Sequence, residues 1–172
     1  MSAVDVMGSV SDRLVGGLMF HSEHADLCRW LGIEWLADIH EEGFLHDSSC
    51  LRRMRRLALR HTGCIVPEGR QERGHALDAF RGTQRWCVKR DVRETALCDA
   101  MHDWCDWEDG TVTVLTSAVN RLESCGELLL ADKVRAAAKD TSRELAVARD
   151  LMVEMKAVNW DMTHVLEMGR GR

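Results

Sequence analysis

The sequence predicts an all-helical protein in which four long helices form a bundle. Apolar residues recur at alternating spacings of four and three along four stretches of the chain, which is the period of an amphipathic helix. Pro67 is the only proline among 172 residues, so little in the chain interrupts a helix. Gly43 and Gly126 divide the stripes into two hairpins. Four such stripes bury one another most simply as a four-helix bundle, here a single domain over residues 1–172.

The first predicted helix begins near Ser11 or Asp12, either of which can cap a helix N-terminus, and it continues to Gly43. Residues 1–10 are predicted to be a loose N-terminal arm. The seam of this helix consists of residues in the four-three rhythm: Leu14, Leu18, His21, Ala25, Cys28, Gly32, Trp35 and Ile39.

The second predicted helix starts near Asp47 and ends at Gly63, which suits a left-handed C-terminal cap. Pro67 prevents its continuation. Residues 63–91 form a long connection between the second and third helices, with a short helix expected near "GHALDAF". The inner face of the second helix is formed by Leu51, Met54, Leu57, Ala58 and His61.

The third predicted helix starts at Asp91, where Glu94 completes a capping-box pattern, and runs to about Cys125. A tight turn at Gly126 leads into the fourth helix, from about Leu128 to Asn159. The two seams contain one glutamate each, at Glu108 and Glu144. The remaining seam residues are mostly apolar: Leu97, Met101, Trp104, Thr111, Leu115, Ala118, Leu122 and Cys125 in the third helix, and Leu130, Val134, Ala137, Thr141, Ala148, Leu151, Met155 and Val158 in the fourth.

Glu108 and Glu144 are predicted to face each other across the bundle core. Both lie 18 residues from Gly126, in opposite directions. In an antiparallel hairpin they therefore stand at the same height, roughly 27 Å from the turn at 1.5 Å per residue. Two carboxylates in a core must share a proton, pair with cations or hold a metal.

Two further polar residues are candidate ligands at the same height in the bundle as Glu108 and Glu144. Glu34 flanks the stripe of the first predicted helix, beside Trp35. His61 lies at the centre of the apolar arc of the second helix, and in a hairpin that turns at Gly43 it faces His24.

The layout resembles the ferritin-like superfamily, including small ferritin-like proteins of bacteria and their prophages. The resemblance is carried by two hairpins joined by one long crossover and by the stretches "WEDGTVTVLTSAVNRLESCGE" and "DTSRELAVARDLMVEMKAVNWDM". It implies a metal ion held by Glu108 and Glu144, with Glu34 as the candidate from the first helix. We expect His61 as a fourth ligand, and oxygen ligands with at most one imidazole suit iron or manganese. The chain departs from the family pattern because the Glu-x-x-His pairs are absent from the second and fourth predicted helices.

Composition favours a reduced, cytoplasmic protein without a membrane segment. The seven cysteines are odd in number and contain no CxxC pair, which argues against a secreted disulfide framework. The N-terminus lacks the pattern of a signal peptide, and no apolar run approaches membrane-spanning length. Six tryptophans and wide apolar arcs predict a homo-oligomer.

Three functions remain open from the sequence. The first is a ferritin-like metal protein with a redox or storage role, and the second is a non-catalytic interaction or assembly module that has lost the metal. The third uses a basic face of the second helix to bind phosphate or nucleic acid, although a net charge of −5 makes nucleic acid a poor expectation. That face contains Arg52, Arg53, Arg55, Arg56 and Arg60.

Overall fold

A computed structural model describes residues 2–63 and 90–171 of the chain. Its long helices are α1 (Ala3–Leu31), α2 (Glu34–Thr62), α3 (Arg90–Ser124) and α4 (Leu128–Ala157), followed by the short α5 (Met162–Met168) and a 3₁₀ turn (Gly169–Gly171). These described ranges contain no strand, so the all-helical prediction is confirmed. Most of the predicted connection, with its short helix, lies outside the described residues.

The N-terminus of α1 corrects the prediction of a loose arm. Ser2 caps the helix, because its hydroxyl accepts a hydrogen bond from the Asp5 N–H while the Asp5 carboxylate accepts one from the Ser2 N–H. Val6, Met7 and Val10 are then buried on the inner face. The helix therefore begins well before the predicted cap at Ser11 or Asp12.

The first hairpin turns at Gly32, and the prediction of one helix through to Gly43 is wrong. Gly32 adopts a left-handed conformation with φ 81°, and the N–H of the following Ile33 donates to the Cys28 carbonyl at 2.8 Å. Gly43 is instead buried inside α2. The apolar period continues in phase on both sides of Gly32, which is why the period alone did not reveal the turn.

The second hairpin agrees with its prediction. The helix ends lie within one or two residues of those expected, and Gly126 makes the turn with φ 78°. α1 packs on α2, and α3 packs on α4. The two hairpins meet through α1 and α3, and less extensively through α2 and α4. None of the described helices is both long and apolar enough to cross a membrane.

A polar layer divides the core into two apolar clusters. One cluster contains Met7, Leu14, Met54, Leu122 and Val134, and the other contains Leu31, Leu36, Met101, Leu151 and Met155. Between them, at the middle of all four long helices, lie the buried polar side chains of His21, His24, His40, Asp47, Glu108, Thr111 and Thr141. Because burying such groups is costly, their concentration in one layer marks the candidate site.

Candidate metal centre

Three side chains from three helices converge within the polar layer. His21 of α1, Glu108 of α3 and Glu144 of α4 each offer a ligand atom, and these atoms all lie within 4.8 Å of one another. His21 and Glu108 are each 2% exposed, whereas Glu144 is half-buried. The Nε2 atom of His21 lies 3.4 Å from Oε1 of Glu108. One imidazole and two carboxylates are thus already gathered around one point.

The predicted meeting of Glu108 and Glu144 occurs in the structure. Trp104 lies one turn before Glu108 and donates its indole N–H to Oε1 of Glu108 at 3.3 Å. Burial raises the pKa of Glu144 to about 8, and the negative charges of Glu108 and Asp47 add to that rise. In the absence of a cation, Glu144 therefore holds a proton at neutral pH.

Asp47 brings a fourth titratable group to the layer, from α2. Burial raises its pKa to about 7, Glu108 contributes to the rise, and Arg13 opposes it. Its carboxylate lies against Gly17, where a Cβ atom would stand 2.0 Å from Oδ2 of Asp47. Asp47 was predicted to lie at the start of a helix, but it lies in the middle of α2 and is buried. Gly17 leaves the space that its carboxylate needs.

A second glycine and a second histidine fix the position of His21. A Cβ atom at Gly43 would lie 2.7 Å from Cε1 of His21, so the glycine admits the imidazole ring. Nδ1 of His21 lies 3.2 Å from Nδ1 of His40, which places one as donor and the other as acceptor. Burial lowers the pKa of His40 well below its usual value, and the nearby His24 and His21 add to this effect. A neutral His40 therefore orients His21 with its Nε2 atom toward Glu108.

The structure places Glu34 and His61 outside this group. Glu34 is the exposed first residue of α2, and His61 is exposed in its last turn. Because the first hairpin turns at Gly32 and not at Gly43, His24 faces His40, with ring centroids 5.4 Å apart, and does not face His61. With the turn at Gly32, Glu34 and His61 lie at opposite ends of α2, and the prediction of both as metal ligands is wrong.

Three residues of the site were not predicted from the sequence. His21 was placed in the seam of the first helix but was not selected, and His40 and Asp47 were not considered as site residues. A signal was present in α2, where His40, Gly43 and Asp47 recur at spacings of three and four, so that they share one face. A small residue between two polar ones on a buried face indicates that a side chain from another helix enters there.

Aromatic stacking closes the layer between α1 and α3. The guanidinium carbon of Arg13 lies 3.6 Å from the centroid of the Trp107 ring, and Trp107 stacks on Phe20 at 5.2 Å. Phe20 in turn stacks on His24 at 3.8 Å. Arg13 also donates from Nε to the Thr111 hydroxyl at 2.8 Å. The α1–α3 side of the layer is thus packed with aromatic rings and the Arg13 guanidinium.

The opposite side, between α2 and α4, is open. A pocket of about 400 Å³ lies there and is lined by two of the candidate ligands, His21 and Glu144, together with Trp104 and Gly43. Val147 and Arg143 of α4 also line this pocket. A small molecule can therefore approach the candidate centre along this seam.

Comparisons with protein-family models, curated proteins and solved structures give no match. The function must therefore be inferred from the residues of the site.

Proposed function

We propose that the protein binds one iron or manganese ion through His21, Glu108 and Glu144, as a helical bundle of ferritin-like type. The observation that carries this proposal is the convergence of three ligand atoms from three helices within 4.8 Å, in the polar layer between two apolar clusters of the core. Two hairpins joined by one crossover, with carboxylates in the middle of α3 and α4, support the ferritin-like arrangement. In place of the Glu-x-x-His pairs of that family, α1, α3 and α4 each supply a single ligand.

The donor set fits a first-row metal ion. Ligand atoms bonded to one ion at about 2.0–2.2 Å lie within about 4.5 Å of one another. The observed limit of 4.8 Å differs from this by an amount that small side-chain rotations remove. Carboxylate oxygens with one imidazole suit iron or manganese better than metals that prefer thiolates. When bound, such an ion supplies a redox centre, and Asp47 remains nearby as a further carboxylate.

The arrangement supports redox chemistry on a small molecule more than mineral storage. Glu144 and His21 line the pocket between α2 and α4, so a small molecule that enters there reaches two of the proposed metal ligands directly. His40 holds the His21 ring, and Trp104 holds the Glu108 carboxylate. These residues orient the ligands before an ion arrives.

A non-catalytic interaction or assembly module is the second candidate. Burial raises the pKa of Glu144 to about 8 and that of Asp47 to about 7, so protons can neutralise these two carboxyl groups without a metal ion. Large apolar side chains on the surface are available for contact with a second copy of the chain, among them Leu45 at 66%, Val153 at 65% and Leu128 at 63% exposure. Homo-oligomerisation is expected for either function.

Metal analysis of untagged protein separates the two candidates. The protein is purified without a histidine tag, its metal content is measured, and its thermal stability is compared with and without Fe²⁺ under anaerobic conditions or Mn²⁺. The metal proposal expects about one ion per chain and a rise in melting temperature on metal addition, because a ligand bound only to the folded state stabilises it.

The double variant Glu108→Leu with Glu144→Leu provides the second half of this test. Under the metal proposal it no longer responds to added metal. If the wild type also shows no response, and the double variant is more stable, the carboxylates are a structural remnant and the second candidate is correct.

A further inference from the structure

A second pocket lies beside the candidate metal centre in the seam between α2 and α4. It has a volume of about 350 Å³, and its lining includes four cationic side chains: Arg53, Arg56 and Arg60 from α2 and Lys133 from α4. We call it the arginine pocket. His46 lines both this pocket and the one that reaches Glu144, so the two are neighbours along the seam.

The positive charges of the arginine pocket are not compensated within the described part of the chain. Arginines elsewhere pair with carboxylates: Arg29 with Glu41, Arg135 with Glu123, and Arg149 with Asp109. The pocket cations have no such partner among residues 2–63 and 90–171.

Among the residues that the structure describes, the one carboxylate that lines the arginine pocket already has a partner. Asp140 forms an ion pair with Arg143 at 2.9 Å, and Arg143 does not line that pocket. A protein with a net charge of −5 thus keeps a local concentration of positive charge in one concave site.

The floor of the arginine pocket is apolar. Met54 and Ala137 are buried there, and Leu57 and Ala136 complete the wall. Arginines that only face solvent do not need to surround an apolar cavity, because water hydrates their charges. Cations around an apolar cavity match a ligand with an anionic group and an apolar body.

We propose that the arginine pocket binds a small molecule that carries a phosphate group on an apolar or aromatic body. Arg53, Arg56 and Arg60 follow one another at spacings of three and four, so their guanidinium groups share one face of α2. Guanidinium groups bind phosphate oxygens through paired N–H donors, and Lys133 adds a point charge from the facing helix. The apolar floor holds the body of the ligand, and the volume is that of a small-molecule site. This site is separate from the metal centre and does not depend on a bound ion.

Calorimetric titration of the full chain tests the site, with chelator present so that no metal ion binds the phosphate. The probes are naphthyl phosphate, which has both charge and apolar body, pyrophosphate, which has charge alone, and naphthol, which has the body alone. The expected order of affinity is naphthyl phosphate, then pyrophosphate, with no binding of naphthol.

Three variants locate the binding. Arg56→Gln removes a lining charge and is expected to weaken naphthyl phosphate by about tenfold, as the loss of one charged hydrogen bond does. Arg52→Gln removes an equal charge from the same helix outside the pocket and is expected to change affinity by less than about twofold, because exposed charges are screened. Ala136→Trp fills the pocket without changing any charge and is expected to abolish binding.

Each contrary result overturns the proposal. Absence of binding at millimolar naphthyl phosphate contradicts it. If Arg52→Gln weakens binding as much as Arg56→Gln does, the ligand responds to the overall positive potential of α2 and not to the pocket, which also contradicts it. Unchanged binding in Ala136→Trp shows that the cavity is not the site. Tighter binding of a single-stranded oligonucleotide that is insensitive to Ala136→Trp would instead make the arginines a nucleic-acid surface.

Discussion

The two contacts between the hairpins differ in how closely their polar groups are packed. Between α1 and α3, Arg13 stacks on Trp107 and bonds Thr111, and aromatic rings fill the space beside the polar layer. Between α2 and α4, two pockets remain, one reaching Glu144 and one lined by cations that lack carboxylate partners in the described chain. The α1–α3 side stabilises the fold, and the α2–α4 seam leaves the candidate centre accessible.

The largest expected effect tests whether the glycines of α1 serve close packing. Gly17→Ala puts a Cβ atom 2.0 Å from Oδ2 of Asp47, whereas a Cβ atom at Gly8 on the same helix meets nothing within 4 Å. Gly8→Ala should stabilise the protein by about 0.5–1 kcal/mol through helix propensity. Gly17→Ala should destabilise it by about 1–3 kcal/mol because Asp47 must move. Chemical denaturation measures both, and equal effects would show that Asp47 is not held against Gly17.

The next effect concerns the support of His21. His40→Phe retains a ring of similar size but removes the partner of Nδ1 of His21, and loss of such a partner lowers metal affinity about 10–100-fold. His24→Phe is the control, because Nδ1 of His24 donates to the Phe20 carbonyl of its own helix and not to His21. Titration of both variants with Mn²⁺ measures the difference in metal affinity. Equal affinities would mean that His40 has no part in positioning His21.

A smaller effect is expected from pH in the metal-free protein. The folded-state pKa values of Glu144, about 8, and Asp47, about 7, lie above the ordinary carboxyl values of 4.5 and 3.8. The folded state therefore keeps protons that the unfolded state releases, and stability falls as pH rises from about 5 to about 8. Each 1 kcal/mol of stability lost in this way lowers the melting temperature by about 2–4 °C for a chain of this size.

Two comparisons control this pH measurement. Glu144→Gln should weaken the dependence, because glutamine does not titrate. Glu154→Gln, an exposed position on the same helix, should leave it unchanged. A melting temperature that rises over this range would contradict the burial of protonated carboxyls.

The smallest expected effect concerns access to the candidate centre through the pocket between α2 and α4. Val147 lines the pocket that reaches Glu144, and Val153 is exposed further along α4 outside it. Val147→Trp should slow removal of bound Mn²⁺ by a soluble chelator by a factor of about 3, or about 0.6 kcal/mol in the barrier. Val153→Trp should not change this rate. If both variants behave as wild type, ions leave by another route.

The sequence was sufficient for the second hairpin and insufficient for the first. Gly126 interrupts the apolar period between α3 and α4, so the turn and the matched heights of Glu108 and Glu144 were predictable. Gly32 occupies a seam position in phase with its neighbours, so the turn there was hidden, and the more prominent Gly43 was chosen instead. That error displaced His61 and left His21 unselected.

Other features of the site depend on three-dimensional packing and have no single signal in the sequence. The space that Gly17 leaves for Asp47 and the pairing of His21 with His40 follow from how α1 packs on α2. The pockets between α2 and α4 follow from how the two hairpins meet. The arginines of α2 were visible, but only the fold shows which of them border a cavity.

Manganese binding by the Glu144 variant is the most direct test of the central claim. Free Mn²⁺ is followed by electron paramagnetic resonance during titration of untagged wild type, Glu144→Gln and the exposed control Glu154→Gln. The metal-centre account predicts one site in the wild type and in Glu154→Gln, and an affinity lower by at least about 100-fold in Glu144→Gln, since a direct ligand matters more than its support. Equal binding by all three proteins, or binding by none, would contradict it.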